Sequence, residues 1–408
     1  MIPENPKGVI ELGNINIRCL IFQINNNTSE ILSNSITQSQ GIHNGVIVNL
    51  KKASDAIRKC IGDAEKKAKI SLKKINVVFE QPEFLCTKFS KHKKIDGSKI
   101  HKDDIEFLLK EAKKQVTLND EKQSIIHIFN HNYIVDGKNF IEEPIDVYAD
   151  YLSHEMTFIT APKNNIRNIN QAFIDCDIEV ERFISSTFAS AVELLNNNDL
   201  QSGSSLIDFG FEKTSLGLFK NLALVNSITF PIGINHITKD ISKVCSLSID
   251  ESENIKNKID FSFEDENVLF DESENLKKLY FKNSKFRKIS KSLLNNIIKS
   301  RIEEILQMVE KQLSLTKFNS TLRTNNFISG GGSNLYNLDK YCSNFFGINF
   351  KKINYELKSV GNLDENYSSC LGALKIIKDG WETEAIPELK NRYSDKIGFL
   401  AKIFGNLR

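Results

Sequence analysis

The sequence predicts an α/β protein of two duplicated halves, with a small separate module set into the first. Three observations carry this. The segment IELGNINIRCLIF (10–22) recurs in outline as IDFGFEKTSLGLF (207–219), 197 residues later (207 − 10). Strand-like and helix-like segments alternate around both copies, as in a mostly parallel sheet covered by helices. Between about Pro82 and Pro162 the texture changes to one helix among three alternating segments.

A chain of 408 residues is too long for one hydrophobic core and is expected to form two to four domains. Its 54 basic and 52 acidic side chains nearly cancel, which argues against a dedicated nucleic-acid binder. The seven cysteines (Cys19, Cys60, Cys86, Cys176, Cys245, Cys342, Cys370) form no zinc or redox spacing and are expected to be buried thiols. Of the seven histidines, only His127 and His131 have ligand-like spacing. In a strand they stand roughly 13 Å apart, too far for one ion. The first residues, MIPENPKGVIELG, lack a signal region, and no apolar run approaches the ~20 residues of a membrane span, so the body is expected to be cytosolic.

In chain order, VIELGNINIRCLIF (9–22) reads as two strands around the turn dipeptide Gly13-Asn14. Residues 50–70 place Ala53, Ala56, Ile57, Cys60, Ile61 and Ala64 on one helical face. INVVFEQ (75–81) is a near-continuous apolar run, as in a buried parallel strand. The module follows, with EFLCTKF, a helix over 103–116, SIIHIFNHNYIV and HEMTFIT. Then come a helix (164–175), the strand ERFISS and a helix (187–196). After the second hairpin, helices dominate 235–318, including a long one over about 287–315. NNFISGGGSNL (325–335) is a strand running into glycines and a helix start at Ser333-Asn334, and NYSSCLGALKII (366–377) is a last helix.

Each hairpin has an acid second and a glycine fourth: Glu11 and Gly13, then Asp208 and Gly210. Two such hairpins facing each other across a cleft can bind phosphates with their backbone amides. Glu11 and Asp208 would hold water around a magnesium ion, which keeps a hydrated shell. Gly330, Gly331 and Gly332 would let a base or ribose approach the backbone, with a helix N-terminus facing the ligand.

The order of these motifs resembles the actin/Hsp70/sugar-kinase superfamily and, in detail, the bacterial cell-division family FtsA, almost end to end. IELGNIN is similar to the first phosphate motif, IDFGFEKTSLGLF to the second and FISGGGSNL to the adenosine motif. RFISSTFASAVELL and NYSSCLGALKII resemble the two connecting helices, and FPIGINHITKDI with SENIKNK the segments after the second phosphate loop. Residues 82–162 occupy the slot of the family's small βαββ subdomain, which Hsp70s and sugar kinases lack.

The resemblance implies an actin-like fold of two α/β domains around a nucleotide cleft. Its divisions fall at 1–81 with 163–203 and part of 366–380 (subdomain 1A), 82–162 (1C), 204–235 with 326–365 (2A) and 236–325 (2B). A linker (381–393) and an amphipathic membrane helix (394–408) complete the chain. It implies ATP and Mg2+ bound by Glu11, Gly13, Asn14, Ile15, Asp208, Gly210, Lys213, Thr214, Gly330, Gly331, Gly332 and Ser333, with Glu253 and Lys256 beside the ribose and base and the magnesium held at Asp208 through water. It implies self-association into a filament, contact with other division proteins, and a cytoplasmic-face location on the inner membrane at the division site. No nucleic-acid partner is expected. Arg287, Lys291 and Arg301 in RKISKSLLNNIIKSR stand where the family receives the C-terminal peptide of FtsZ; an ordinary solvated helix face is the competing reading.

Two departures qualify the match. Phe211, Glu212 and Lys213 replace the glycines and threonine usual in the second loop. Lys213 could offer its ammonium to phosphate while Glu212 repels it, or both are solvated turn residues. The position that orients the attacking water in polymerising relatives corresponds to Ser185, with no histidine nearby in sequence to activate it, so ATP hydrolysis is expected to be very slow or absent. The runner-up within the superfamily is a PilM-like pilus protein. A small-molecule kinase would need Asp175 or Asp177 as base, yet DCDIEVERF reads as a loop entering a strand.

In the tail SDKIGFLAKIFGNLR, Ile397, Leu400, Ile403, Phe404 and Leu407 share one helical side with Phe399 at its edge. Lys396, Lys402 and Arg408 add positive charge. Too short to span a bilayer, such a helix is expected to lie in the interface of an anionic membrane.

Overall fold

The computed structural model describes residues 6–25, 28–140, 142–263, 269–281, 288–316, 325–353 and 365–379. The chain divides into two compact units: residues 1–203, 217–228 and 355–408, and residues 204–216 with 229–354.

The first unit opens with strands β1 (Lys7–Leu12), β2 (Asn16–Asn25) and β3 (Thr28–Gln38), then a small hairpin, β4 (Ile42–His43) and β5 (Val46–Ile47). Helix α1 (Leu50–Ala68) begins where the Asn49 side chain accepts a hydrogen bond from the Lys52 amide, and stops at Lys69, which is left-handed with φ 58°. It buries Ala53, Ala56, Ile57, Cys60, Ile61 and Ala64, the face expected from their spacing. Strand β6 (Lys74–Phe79) pairs in parallel with β1.

The module then runs β7 (Leu85–Lys99), α2 (Lys102–Asn119), β8 (Gln123–Val135), β9 (Lys138–Phe140) and β10 (Tyr148–Pro162), with sheet order β7-β10-β8-β9. Two apolar clusters seat α2 on this sheet: Leu109, Ala112 and Val116 with Ile128, Met156 and Phe158, and Ile105 and Leu108 with Ile95, Tyr133 and Leu152. Each large side chain so buried contributes about 1.5–3 kcal/mol. Such a module can supply its own core.

Helix α3 (Lys163–Ile174), strand β11 (Glu179–Ser185), α4 (Ser186–Leu194) and α5 (Asn197–Ser202) follow. Beyond them lie β12 (Ser204–Phe209), β13 (Thr214–Lys220), β14 (Ala223–Phe230), α6 (Asn235–Cys245) and α7 (Ile249–Lys256). Last come α8 (Lys291–Leu315), β15 (Asn326–Ser329), α9 (Leu338–Phe346), β16 (Phe350–Lys352) and α10 (Ser368–Lys378).

The duplication is visible in the two large sheets. One has the order β3-β2-β1-β6-β11 and the other β14-β13-β12-β15-β16. In each, three consecutive strands lie side by side and two later strands join in parallel. Helices α4 and α10 cross so closely that a Cβ on Gly372 would meet the Ala189 carbonyl oxygen at 1.7 Å. Glycine is therefore the only residue that fits there.

Two expectations need correction. Residues 331–334 form a 3-10 turn and α9 starts only at Leu338, because Leu335 is extended and Asn337 left-handed (φ 59°). The helix start expected at Ser333-Asn334 is not there. The long helix begins at Lys291, where Ser290 accepts from the Leu293 amide; Arg287 lies outside the described residues.

Candidate functional site

The first hairpin is held by a cross-strand ion pair. Glu11 and Arg18 lie directly opposite in register, and an Arg18 Nη1 donates to Glu11 Oε2 at 3.0 Å, each side chain being 16% exposed. Antiparallel partners of opposite charge stabilise such a pair of strands. At the turn, a Cβ on Gly13 would sit 2.4 Å from the Asn16 carbonyl oxygen, so the bend needs glycine. Asn14 is fixed by Asn44 in the small hairpin, accepting from its amide at 2.8 Å and donating to its side chain at 3.2 Å, while Ile15 is exposed.

The second hairpin is packed as tightly. A Cβ on Gly233 would meet the Lys213 amide nitrogen and Phe211 carbonyl at 2.5 Å, so residue 233 is pressed against the loop after β12. The Ile234 and Asn235 amides donate to the Gly210 and Phe211 carbonyls at 3.0 and 2.8 Å. Thr214 donates its hydroxyl to the Ile232 carbonyl at 2.8 Å. Glu212 accepts from Asn235 Nδ2 at 2.7 Å and pairs with Lys239 at 2.9 Å. Burial raises its carboxyl, but these partners outweigh it and hold it below the usual carboxylate range. Its charge is matched within the loop and α6.

The glycines after β15 form a cradle. Gly330 has φ 82°, and a Cβ there would sit 2.0 Å from Asp208 Oδ1. A Cβ on Gly332 would strike Ile234 at 2.5 Å and Phe209 at 2.7 Å, whereas Gly331 faces open space. Ser333 donates to the Gly330 carbonyl at 2.8 Å, and the buried Ser329 hydroxyl has no hydrogen-bond partner among the described residues. Strands β12 and β15 pair Asp208 with Ser329, which brings the acid of the hairpin beside the glycines.

In α7, fully buried Lys256 donates to both Glu253 oxygens at 2.8 and 2.7 Å, and Thr238 donates to Glu253 Oε2 at 2.5 Å. Burial pushes Lys256 below the usual ammonium range. The pair is local, three residues apart on one helix, as SENIK allows.

Ser185 sits where three elements meet. Its hydroxyl donates to Glu80 Oε2 at 2.7 Å, the same carboxylate oxygen accepts from the Thr187 amide at 3.0 Å, and its own amide donates to His127 Nε2 at 2.9 Å. Sequence proximity offered no histidine here; strand β8 supplies one across 58 residues, to the amide and not to the hydroxyl. Burial holds His127 down to about 3, so its ring stays neutral and can accept. Asp175 ends α3, where it accepts from Gln171 at 2.8 Å and Ser54 at 3.3 Å.

Arg301 is already engaged, donating through Nε to Asp240 at 2.6 Å and through a second nitrogen at 3.2 Å, with Glu304 also on its fork. Lys291 lies over the Phe270 ring at 5.9 Å. Arg18 and Glu80 escaped the sequence reading. The signal for Arg18 was available, since it falls opposite Glu11 once the Gly13 turn is drawn; Glu80 carried none.

The sequence model of the family "Cell division protein FtsA" matches residues 205–372, and that of the "SHS2 domain inserted in FTSA" matches 85–160, the module. The chain belongs to the FtsA family. It is 26% identical over 342 residues to the cell division protein FtsA of Buchnera aphidicola subsp. Baizongia pistaciae, covering 82% of this chain and 80% of that one. The FtsA match makes it a cell-division protein. Among solved structures it is similar to the PilM–PilN type IV pilus biogenesis complex, with TM-score 0.63 and 12% identity over 91% of this chain and 99% of that one. It is also similar to MreB5 of Spiroplasma citri bound to ADP, with TM-score 0.51 and 14% identity over 92% and 98%. At these identities the likeness establishes the actin-like fold alone.

Proposed function

We propose that this FtsA-family chain binds ATP, self-associates, and anchors FtsZ filaments to the cytoplasmic face of the cell membrane at the division site. One observation carries the nucleotide reading: Gly330, after β15, is packed directly on Asp208, the acid of a phosphate-type hairpin, and Gly332 on the neighbouring Phe209, so that a side chain at either position would collide. The unpartnered Ser329 hydroxyl beside them suits a polar ligand. MreB5, of the same fold, carries ADP. Gly13, Asn14 and Ile15 would offer backbone to phosphate in the first hairpin, as would Gly210 and Thr214 in the second, where Lys213 would offer its ammonium. Gly330 to Ser333 would border the adenosine, with Glu253 and Lys256 beside the ribose and base. Magnesium, held through water at Asp208, would supply charge neutralisation on the phosphates.

The Ser185 hydroxyl donates to Glu80 and accepts from the Phe188 amide at 3.3 Å, which makes it the N-cap of α4. Hydrolysis is accordingly slow or absent, and ATP favours one conformation of the protein. The subdomain divisions given above, the FtsZ contact at Arg287, Lys291 and Arg301, and the membrane helix at 394–408 rest on the family resemblance. The tail and Arg287 lie outside the described residues. Among those described, no helix is long and apolar enough to cross a membrane, which fits a peripheral anchor. Co-sedimentation tests the proposal: the full chain should carry FtsZ to anionic liposomes in the presence of ATP. Lipid binding without recruitment of FtsZ would exclude the adaptor role.

A further inference from the structure

The sheet of the inserted module has two unequal edges. Strand β9 at one edge is 3 residues long, whereas β7 at the other runs for 15 and pairs, among the described residues, with β10 alone. A long edge with free backbone groups is a template for a further strand unless something blocks it. Strand β7 holds no proline, and its register with β10 is unbroken over residues 85–94. Lysines can serve as the block, but three of its five are matched: Lys93 and Lys94 by Asp104 and Asp96 at 2.6 Å, and Lys99 by Asp146 at 3.8 Å. Lys88 and Lys91 form no ion pair among the described residues. Helix α2 borders this edge, since Lys93 also lies over the Phe107 ring at 5.0 Å. Helical spacing puts Asp104, Phe107, Glu111 and Leu118 on that side of α2. Phe107 is 48% and Leu118 65% exposed, and Phe89 of β7 is half-buried beside them. The edge therefore offers backbone groups, uncovered apolar rings and two unmatched ammoniums against the one carboxylate of Glu111.

We propose that the β7 edge takes an extended acidic and apolar peptide segment of a partner protein as a further strand of the module's sheet. Backbone hydrogen bonds along residues 85–94 supply the affinity. Successive side chains of the guest fall on opposite faces. Apolar ones on the α2 face cover Phe89 and Phe107, and acidic ones meet Lys88 and Lys91. A second copy of this chain fits worse, because two β7 edges laid together set their lysines against one another. The surface is independent of the nucleotide reading and lies on other elements than Lys291 and Arg301 of α8.

The test is a fluorescence-anisotropy titration of the full chain with a short labelled peptide that alternates valine and glutamate, beside one that alternates valine and lysine. The acidic peptide should bind and the basic one should not. Lys88→Glu/Lys91→Glu should weaken binding about tenfold at low salt and much less at high salt. Phe107→Ser should weaken it several-fold at both, and Lys291→Glu should leave it unchanged. Hydrogen exchange of the β7 amides should slow when the peptide is bound, which a purely ionic contact with the lysines would not cause. The proposal is overturned if the acidic peptide fails to bind at low salt, if the basic one binds as well, if β7 exchange is unaffected, or if Lys291→Glu causes the same loss. Self-association of the chain that Phe107→Ser abolishes in sedimentation would put a second copy at this edge and overturn it too.

Discussion

Gly330 lies against Asp208 so closely that a Cβ on residue 330 would sit 2.0 Å from Asp208 Oδ1. Its φ of 82° adds a backbone cost of about 1–3 kcal/mol for any other residue. Gly330→Ala should therefore lower the denaturant midpoint and displace the Asp208 carboxylate, weakening ATP binding together with stability. A folded variant of unchanged midpoint and ATP affinity would remove the cradle from the site.

Asp208 and Glu212 should differ sharply. Asp208→Ala removes the acid proposed to hold the magnesium water shell and should weaken Mg-ATP binding far more than ATP binding in EDTA. Glu212→Ala removes a carboxylate already committed to Lys239 and Asn235 rather than to the ligand, and should change ATP affinity by no more than about twofold, a difference of about 0.4 kcal/mol. Equal losses in a fluorescent-ATP titration would contradict the assignment.

His127 makes stability sensitive to acid. Its folded-state value is depressed to about 3 by burial, with Arg182 adding to the effect, against an unfolded value near 6.5. The unfolded chain therefore binds the extra proton first. The contribution is fully present above pH 6.5 and is lost as pH falls toward about 3, on the order of a few kcal/mol over the whole window. His127→Gln should flatten that slope in urea melts at pH 7, 6 and 5. A slope unaltered by the substitution would assign the acid sensitivity to other groups.

For the FtsZ peptide, Lys291 is the cleaner probe. Arg301 is committed to Asp240 and Glu304, so reversing its charge should lower the stability of its unit as well as any affinity. Lys291→Glu should weaken peptide binding several-fold at low salt and much less at high salt, with an unchanged melt. Equal affinity at low salt would take Lys291 out of the contact.

Phe404→Glu places a charge in the middle of the tail's apolar stripe. It should release the protein from anionic liposomes while ATP affinity stays the same. Continued pelleting at the original level would end the membrane-anchor reading of residues 394–408.

Much of the fold was legible because it is written in local patterns. The α1 stripe from Ala53 to Ala64 and the turn at Gly13-Asn14 each declare an element within a few residues. The polar strand β3, TSEILSNSITQ, does not, because its place in the sheet comes from pairing with β2 and not from alternation. The site was legible as glycines and acids but not as charge pairs. Glu212 looks like an obstacle to phosphate until Lys239, 27 residues on, is brought beside it. The helix expected at Ser333 failed for a local reason: Asn337 adopts a left-handed turn that propensity tolerates but does not announce.

The amide of Ser185, buried at the start of α4, finds its acceptor on His127 of the inserted module. The insertion is thus joined to its host by a peptide-group hydrogen bond, beside the ring contacts of His127 and Phe129 with Phe188. A shortened chain joining residue 84 to residue 163 would remove that acceptor together with the Phe129 ring that packs on Phe188 at 4.7 Å, so that water would have to take the place of His127. Exchange of modules between relatives meets the same condition: a foreign module must bring its own acceptor to that spot, or the host must acquire one. Ancestry by recombination is therefore constrained here by one proton and by the ring contacts of His127 and Phe129 with Phe188.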